Sequence, residues 1–180
     1  GIRSASGKVL VFLDGDGQHD PHDIPRLIQH IPKYHMVVGA RTRGSETHLH
    51  RDLANYCYNK FASFIANFQI KDLTSGFRAM RREDALRFCD MFPNTFSYPT
   101  TSTLAFIRSG RSVRYVPITT KKRVGKSKIR LIKDGVEFFF IILKIAMTFS
   151  PFRLFLPLSV ALFVLGLARY AHTYFSYGVF

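Results

Sequence analysis

The chain has 180 residues, 47% of them apolar, so it is long and apolar enough to bury a core, which excludes a disordered segment. Its 26 lysines and arginines against 12 aspartates and glutamates give a formal charge of +14, which favours anionic partners such as nucleic acid, phosphorylated ligands or an acidic membrane surface. With only two cysteines, the chain also lies outside the disulfide-rich secreted class.

The first elements predicted along the chain are a strand, a short helix and a second strand. Residues 8–13, KVLVFL, form a short apolar run that ends in a polar, glycine-rich cluster, as a buried strand does. Asp23 followed by Pro25 predicts a helix that begins there and ends near Ile31. Residues 34–40, YHMVVGA, predict a second buried strand. This succession indicates a βαβ unit and a parallel sheet.

Five further elements are predicted between residues 51 and 118. Apolar residues recur at helical spacing through 51–69, which predicts an amphipathic helix packed on the sheet. The other predictions are a strand at 76–80, helices at 82–91 and 98–109, and a strand at 112–118. Alternating strands and helices predict an α/β fold.

The chain becomes basic and then strongly apolar after residue 118. No acidic residue occurs between Asp90 and Asp134, and the loop 119–128 is basic, so a surface that binds anions is expected there. In 129–149 a narrow polar stripe faces a broad apolar surface, which predicts a helix lying in a membrane interface; a helix packed on a soluble core is the alternative. The stripe consists of Arg130, Lys133, Asp134, Glu137, Lys144 and Thr148.

A membrane-spanning helix is predicted at the end of the chain. The uncharged run 154–168 is shorter than the ~20 residues that a spanning helix needs. Continuing past Arg169 to Tyr177 supplies the length, with Arg169 able to snorkel and tyrosines at the interface. A buried core helix is the alternative. Because the lysines and arginines precede the helix, the positive-inside rule places the folded part in the cytoplasm.

The strongest local motif is DGDGQ, which directly follows the first predicted strand. Asp14 and Asp16 alternate along the chain and Gln18 follows, so two carboxylates and an amide can offer hard oxygen ligands to Mg²⁺ or Mn²⁺. Such a cation could neutralise a diphosphate. A solvated acidic turn is the alternative. An EF-hand loop is excluded, because His19 and Pro25 stand where that loop needs Gly and Glu.

The order of several motifs resembles that of the polyprenyl-phosphate glycosyltransferases, the dolichyl-phosphate mannose synthase type within glycosyltransferase family 2, which has the GT-A fold. The resemblance covers nearly the whole chain, and it implies a fragment that lacks the N-terminal part of the family's domain. The motifs are DGDGQHDP at 14–21, VVGAR at 37–41, DLTSGFRAMRR at 72–82, YVPI at 115–118, KKRVGKSK at 121–128 and the amphipathic-to-transmembrane tail.

The resemblance implies a partial GT-A, Rossmann-like, mainly parallel sheet followed by two membrane-associated helices. Residues 1–128 would be the C-terminal portion of the catalytic domain. Residues 129–150 would form the amphipathic juxtamembrane helix, and residues 151–180 the transmembrane segment.

The resemblance also assigns roles at the proposed metal and donor site. Asp14 and Asp16 would bind the metal and the nucleotide sugar as catalytic residues, and Gln18 would be a further metal ligand. Gly15 would contact the donor through its backbone.

Four other residues receive roles from the resemblance. Arg41, which closes VVGAR, would hold phosphate, and Asp72 would be a catalytic residue at the reaction centre near the sugar. Arg123 and Lys128 would bind the diphosphate from the basic loop.

The function implied is inverting, metal-dependent transfer of a hexose from a UDP- or GDP-linked sugar to a polyprenyl phosphate at the cytoplasmic face of a membrane. A lipid phosphate is already an anion at neutral pH, so no strong general base is needed. The expected partners are the nucleotide sugar, the lipid phosphate and an anionic membrane surface, and not nucleic acid. The alternative, a membrane-tethered basic module that binds nucleic acid or acts as an adaptor, leaves the DGDG motif without a purpose.

Overall fold

The computed structural model describes residues 1–42, 49–92, 98–121 and 131–178. Its four strands are β1 (Val9–Phe12), β2 (Met36–Arg41), β3 (Arg78–Arg81) and β4 (Val113–Ile118). Its α-helices are α1 (Ile24–Ile28), α2 (Leu49–Ala66), α3 (Arg82–Phe88), α4 (Tyr98–Arg108), α5 (Leu131–Phe149) and α6 (Pro151–Tyr177). Short 3-10 helices precede α1 at Pro21–Asp23 and follow α3 at Cys89–Met91.

The four strands form one mixed sheet in the order β1-β3-β2-β4. Strands β2 and β4 pair in parallel, and β3 pairs antiparallel with both β1 and β2, so β1, β2 and β4 run in one direction. The prediction that β1 and β2 run in the same direction is therefore correct, but the two strands are not neighbours in the sheet. The local pattern indicates that a segment is a strand and does not indicate which strand it pairs with, so the insertion of β3 could not be predicted from it.

Helices cover both faces of the sheet. On one face, α1 contributes Leu27 to an apolar cluster with Val37, Phe77, Ala79, Val116 and Ile118. On the other, α3 and α4 pack against Leu10, Met36, Val38, Met80 and Val113. The alternation of side chains along each strand produces these two faces and gives a layered α/β architecture.

The start of the first helical segment differs from the predicted one in its capping residue. Asp20 has extended backbone, and its side chain accepts the N–H of His22, so it caps the 3-10 helix. Asp23 does precede α1, but its backbone is already helical and its side chain pairs with Arg26. The predicted capping bond at Asp23 is therefore wrong, because a cap acceptor needs an extended backbone to reach back over the first turn.

Helix α5 has one buried face and one exposed apolar face. Ile142 and Ala146 are fully buried, and Ile142 and Ile145 belong to a cluster with residues of α2 and α4. Phe139, Phe140 and Met147 are 44%, 59% and 44% exposed. Of the predicted polar stripe, Arg130 and the side chains of Lys133, Asp134 and Glu137 lie outside the described residues. The helix therefore packs on the folded part while presenting large apolar side chains outward.

Helix α6 is long and exposed along its length. It has 27 residues, and its most apolar window has a mean hydropathy of 1.9 with none of its residues buried. The helix begins at Pro151 and ends before Gly178, whose φ of +63° suits a glycine at a helix C-terminus. By length and composition, α6 can cross a membrane.

Candidate active site at one edge of the sheet

The predicted site residues of the first two motifs and of the segment before β3 meet at one edge of the sheet. Because β1, β2 and β4 run in one direction and β3 runs in the other, the ends of the first three strands lie beside the start of β3. Asp14 and Asp16 follow β1, Arg41 ends β2, and Asp72 lies in the segment that leads into β3. Ligand sites of open α/β sheets lie at this edge.

The loop after β1 is shaped by glycines and by one side-chain turn. Oδ1 of Asp16 accepts the backbone N–H of Gln18 at 3.2 Å, and Gly17 between them has a φ of +75°, which favours glycine. The carboxylate of Asp14 packs directly on Gly76, where an added Cβ would lie 2.7 Å from the carboxyl carbon. A residue larger than glycine at Gly76 would therefore displace Asp14.

Arg41 and Asp72 form a bidentate ion pair below this loop. Nε of Arg41 donates to one carboxylate oxygen of Asp72 at 2.8 Å, and Nη2 donates to the other at 2.9 Å. Backbone N–H groups of Arg41, Thr74 and Ser75 also donate to this carboxylate. Burial alone would raise the pKa of Asp72, but these hydrogen bonds and the charge of Arg41 hold that pKa below its usual value. Asp72 is therefore an ionised carboxylate that fixes the orientation of Arg41.

His19 lies at the centre of the site and was not predicted as a functional residue. Its side chain is 6% exposed, its ring packs against Phe77 with centroids 5.3 Å apart, and its Nε2 is 3.9 Å from Oδ2 of Asp14. Burial lowers the pKa of His19, the charges of Asp14 and Asp16 raise it, and the charge of Arg41 lowers it again. The net direction is downward, so His19 is neutral at neutral pH.

Four charged residues of the candidate site act electrostatically on His19. Asp14, Asp16, Arg41 and Asp72 all act on this one ring. The available sequence signal was the position of His19, directly between the DGDGQ motif and Asp20. No spacing rule indicates that its side chain turns inward.

The start of the basic loop is tied to the loop after β1. The backbone N–H of Lys121 donates to the carbonyl of Gln18 at 2.9 Å, and Nζ of Lys121 lies 3.2 Å from Oδ2 of Asp20. Hydrogen bonds from His22 and then from Lys121 lower the pKa of Asp20. The predicted diphosphate-binding residues Arg123 and Lys128 lie outside the described residues, so their roles stay predictions.

The donor atoms at this edge fit a hard cation that shares its coordination with a substrate. Asp14 is 60% exposed at the side chain, and Asp16 and Gln18 are partly exposed, so three side chains that carry oxygen atoms lie at the surface of this loop. Within the described ranges, no group of three or more His, Cys, Asp or Glu residues is placed to hold a metal ion. Mg²⁺ typically uses one or two protein carboxylates and takes its other ligands from water and substrate phosphates.

Comparison with known proteins gives the family. Residues 1–87 match the profile described as "Glycosyl transferase family 2". The chain is 27% identical over 129 residues to "Undecaprenyl-phosphate mannosyltransferase" of Micrococcus luteus, covering 67% of this chain and 53% of that protein. It is 30% identical over 172 residues to "Glycosyltransferase AglJ" of Haloferax volcanii, covering 89% of this chain and 55% of the relative. The chain thus spans about half the length of the curated relatives it matches.

A third relative and one solved structure agree with this result. "Polyprenol monophosphomannose synthase" of Mycolicibacterium smegmatis is 30% identical over 129 residues, which cover 67% of this chain and 49% of that protein. The crystal structure of glucosyl-3-phosphoglycerate synthase from Mycobacterium tuberculosis superposes with a TM-score of 0.59 at 16% identity, covering 81% of this chain and 52% of that one. This last likeness is one of fold, and it supports the predicted partial GT-A architecture. The N-terminal part of the chain, residues 1–87, therefore carries a glycosyltransferase family 2 segment.

Proposed function

We propose that the protein transfers a hexose from a UDP- or GDP-linked sugar to a polyprenyl phosphate at the cytoplasmic face of a membrane. The observation that carries the proposal is the meeting of Asp14, Asp16, Arg41 and Asp72 at one edge of the sheet, in a chain that also has a helix long enough to span a membrane. The names of two relatives, a mannosyltransferase and a phosphomannose synthase, supply the kind of sugar and the polyprenyl-phosphate acceptor.

On the donor side, the loop after β1 would face the diphosphate of the nucleotide sugar. Asp14, Asp16 and Gln18 would hold Mg²⁺ or Mn²⁺, and Gly15 would leave the backbone open to the donor. When bound, the cation supplies positive charge that stabilises the departing nucleoside diphosphate. Arg41, held in place by Asp72, adds a fixed positive charge at the same edge of the sheet.

The reaction needs alignment more than proton transfer. An oxygen of the lipid phosphate, already anionic, attacks the anomeric carbon on the face opposite the leaving group; a new carbon–oxygen bond forms while the bond to the diphosphate oxygen breaks. The configuration at that carbon is inverted. Because His19 is neutral and its side chain is buried, we assign it no role as a charged group. Its ring packs on Phe77 and forms part of the wall of the site.

The membrane side of the proposal rests on α6 and on the outward apolar face of α5. Both helices follow the catalytic part, so a lipid phosphate at the interface would approach the site along the surface to which they attach the protein. The basic residues before α6 favour an anionic surface and a cytoplasmic location of the folded part.

A donor screen with the full-length protein in native membranes tests the function. UDP- and GDP-linked hexoses would be supplied with undecaprenyl or dolichyl phosphate, with Mg²⁺, with Mn²⁺ or with a chelator. The expected result is a glycolipid product with one donor that disappears on chelation. If no donor yields product, while random oligonucleotide binds with strong salt dependence, the nucleic-acid-binding alternative replaces the transferase.

A further inference from the structure

Arg78 is a buried cation behind the candidate site, and no sequence pattern singled it out. Its side chain is fully buried, and it lies in β3 between Phe12 of β1 and Val38 of β2. Among the described residues, no carboxylate lies within ion-pair distance of its guanidinium, and its Nε has no hydrogen-bond partner. Because a buried charge is costly unless other groups compensate it, the partners of this guanidinium decide what it holds in place.

The guanidinium joins the start of α4 to the segment before β3. Nη1 donates to the carbonyl of Pro99 at 2.8 Å, to Oγ of Ser102 at 2.7 Å and to Oγ1 of Thr103 at 3.1 Å. Nη2 donates to the carbonyl of Ser75. The planar, rigid guanidinium thus fixes residues 72–77 relative to the start of α4.

The segment that Arg78 fixes carries two contacts of the site. The N–H of Ser75 donates to Oδ1 of Asp72 at 3.1 Å, so Arg78 and Asp72 hold the two ends of the Ser75 backbone unit. The next residue, Gly76, packs directly on the carboxylate of Asp14. A displacement of the Ser75 backbone would therefore move the partner of Arg41 and the surface on which Asp14 rests.

We propose that Arg78 is a positioning residue for sugar transfer, which sets the separation between Asp14 and the Asp72–Arg41 pair and supplies positive charge behind them. Asp72 and Asp14 are the carboxylates whose charges act on Arg78. The positive charge of Arg78 offsets part of the negative charge at the edge of the sheet, where the proposed function requires a diphosphate to bind. This inference rests on the proposed function for its kinetic consequence and on the contacts above for its structural one.

Two substitutions in the full-length protein separate the charge from the geometry. Arg78→Lys keeps the charge and loses the planar fork, so the KM for the nucleotide sugar should stay within about 2-fold while kcat falls about 10-fold to 100-fold through misplacement. Arg78→Met also removes the charge, so the KM should rise about 10-fold in addition. Arg81→Met is the matched control, since Arg81 lies on the same strand but donates to the carbonyls of Ile31 and Pro32.

Hydrogen–deuterium exchange provides a readout that does not depend on activity. In Arg78→Met, peptides covering 72–77 and 14–19 should exchange faster, whereas Arg81→Met should affect only the end of α1 and the residues after it. If wild-type protein shows no transfer with any donor, the proposed function fails, and exchange confined to these two peptides still supports positioning.

Three results would overturn the proposal. One is wild-type kcat and KM in Arg78→Met, and another is unchanged exchange in 72–77. The third is loss of folding in both Arg78 variants, judged by their thermal midpoints, because Arg78 would then act only in the core.

Discussion

At the scale of single residues, the site combines carboxylates with very different surroundings. Asp14 is 60% exposed at the side chain, whereas Asp72 is 7% exposed and accepts hydrogen bonds on both oxygens. An exposed carboxylate is available to a cation or to water, and a buried, fully bonded one acts on its protein partners. The chain therefore uses the same functional group for two tasks, and the difference arises from backbone N–H groups and from Arg41.

The first prediction separates metal binding from folding at Asp16. Asp16→Asn keeps an oxygen that can accept the N–H of Gln18, so the turn should be preserved while one ligand charge is lost. Sugar transfer by the full-length protein should fall about 100-fold to 1000-fold, because charge stabilisation of the leaving diphosphate weakens. The matched control is Asp23→Asn, whose carboxylate pairs with Arg26 at the start of α1 and should leave transfer unchanged. Near-parental activity of Asp16→Asn across a Mg²⁺ titration would remove Asp16 from the metal site.

The second prediction concerns the pH dependence of stability at Asp72. The pKa of Asp72 in the folded protein is held below the usual value of 3.8. Its contribution to the free energy of unfolding is therefore complete well above pH 3.8 and is lost as the pH falls through the lower, folded-state pKa. Asp72→Asn should lower stability at pH 7 by about 3 kcal/mol, because Arg41 then loses its ionised partner. Thermal unfolding in detergent between pH 7 and pH 3 should also show a shallower acid dependence in the variant.

Asp90→Asn is the control for that experiment. Asp90 pairs with Arg3 at the surface with an 80% exposed side chain, and exposed pairs contribute little to stability. Equal acid dependence in wild type and Asp72→Asn would show that the buried pair does not control it.

The sequence predicted acidic and basic residues that the structure brings together at one edge of the sheet, but it did not predict their environments. Asp14, Asp16, Arg41 and Asp72 were all predicted as site residues, and the structure brings them to one edge of the sheet. The bidentate pairing of Arg41 with Asp72 and the inward turn of His19 depend on contacts between segments far apart in sequence. Local spacing carries no information about such contacts.

At the scale of elements, periodicity located the strands and helices of the described residues to within a few positions. The second strand was predicted at 34–40 and spans Met36–Arg41, and the helix predicted at 98–109 spans Tyr98–Arg108. Arg78 shows where this reasoning stops. Alternation along β3 places Arg78 on the same face as the buried Met80. An arginine is polar, however, so the sequence predicts that it is exposed, and its burial is explained only by its partners in α4.

The third prediction tests the outward face of α5, using the absence of tryptophan from the chain. Phe140 is 59% exposed and lies beside Phe139, so its side chain should enter the lipid interface. Phe140→Trp in proteoliposomes should therefore emit at short wavelength and be quenched by lipids brominated in the acyl chain.

Tyr34→Trp serves as the control in the same vesicles. Tyr34 packs with the α1 cluster on the opposite face of the sheet and contacts Arg114, so a tryptophan there should not be quenched. Equal quenching at both positions, or none at position 140, would contradict the interfacial placement of α5.

At the scale of the whole molecule, the folded part continues directly into α6, the helix that is long and apolar enough to cross a membrane. The N-terminal end of α6 is fixed to the folded part, because Nη1 of Arg153 donates to the carbonyl of Phe64 near the end of α2 at 2.9 Å. One face of α5 packs on α2 and α4, and α6 follows after Ser150. A helix long and apolar enough to cross a bilayer is thereby coupled to the domain that carries the candidate site, so under the proposed function the orientation of α6 would determine the compartment in which transfer occurs.

The last prediction uses the native cysteines to determine that orientation. Cys57 lies exposed on α2, and Cys89 can be replaced by serine to leave one reporter. Because lysines and arginines precede α6, the positive-inside rule predicts that α2 faces the cytoplasm. A membrane-impermeant maleimide should then label Cys57 in inverted membrane vesicles and not in intact cells. In a Cys57→Ser, Cys89→Ser background, Ser176→Cys near the other end of α6 should show the reverse pattern. Labelling of Cys57 in intact cells would place the folded part outside the cytoplasm, and labelling of both positions from the same side would show that α6 does not span the membrane.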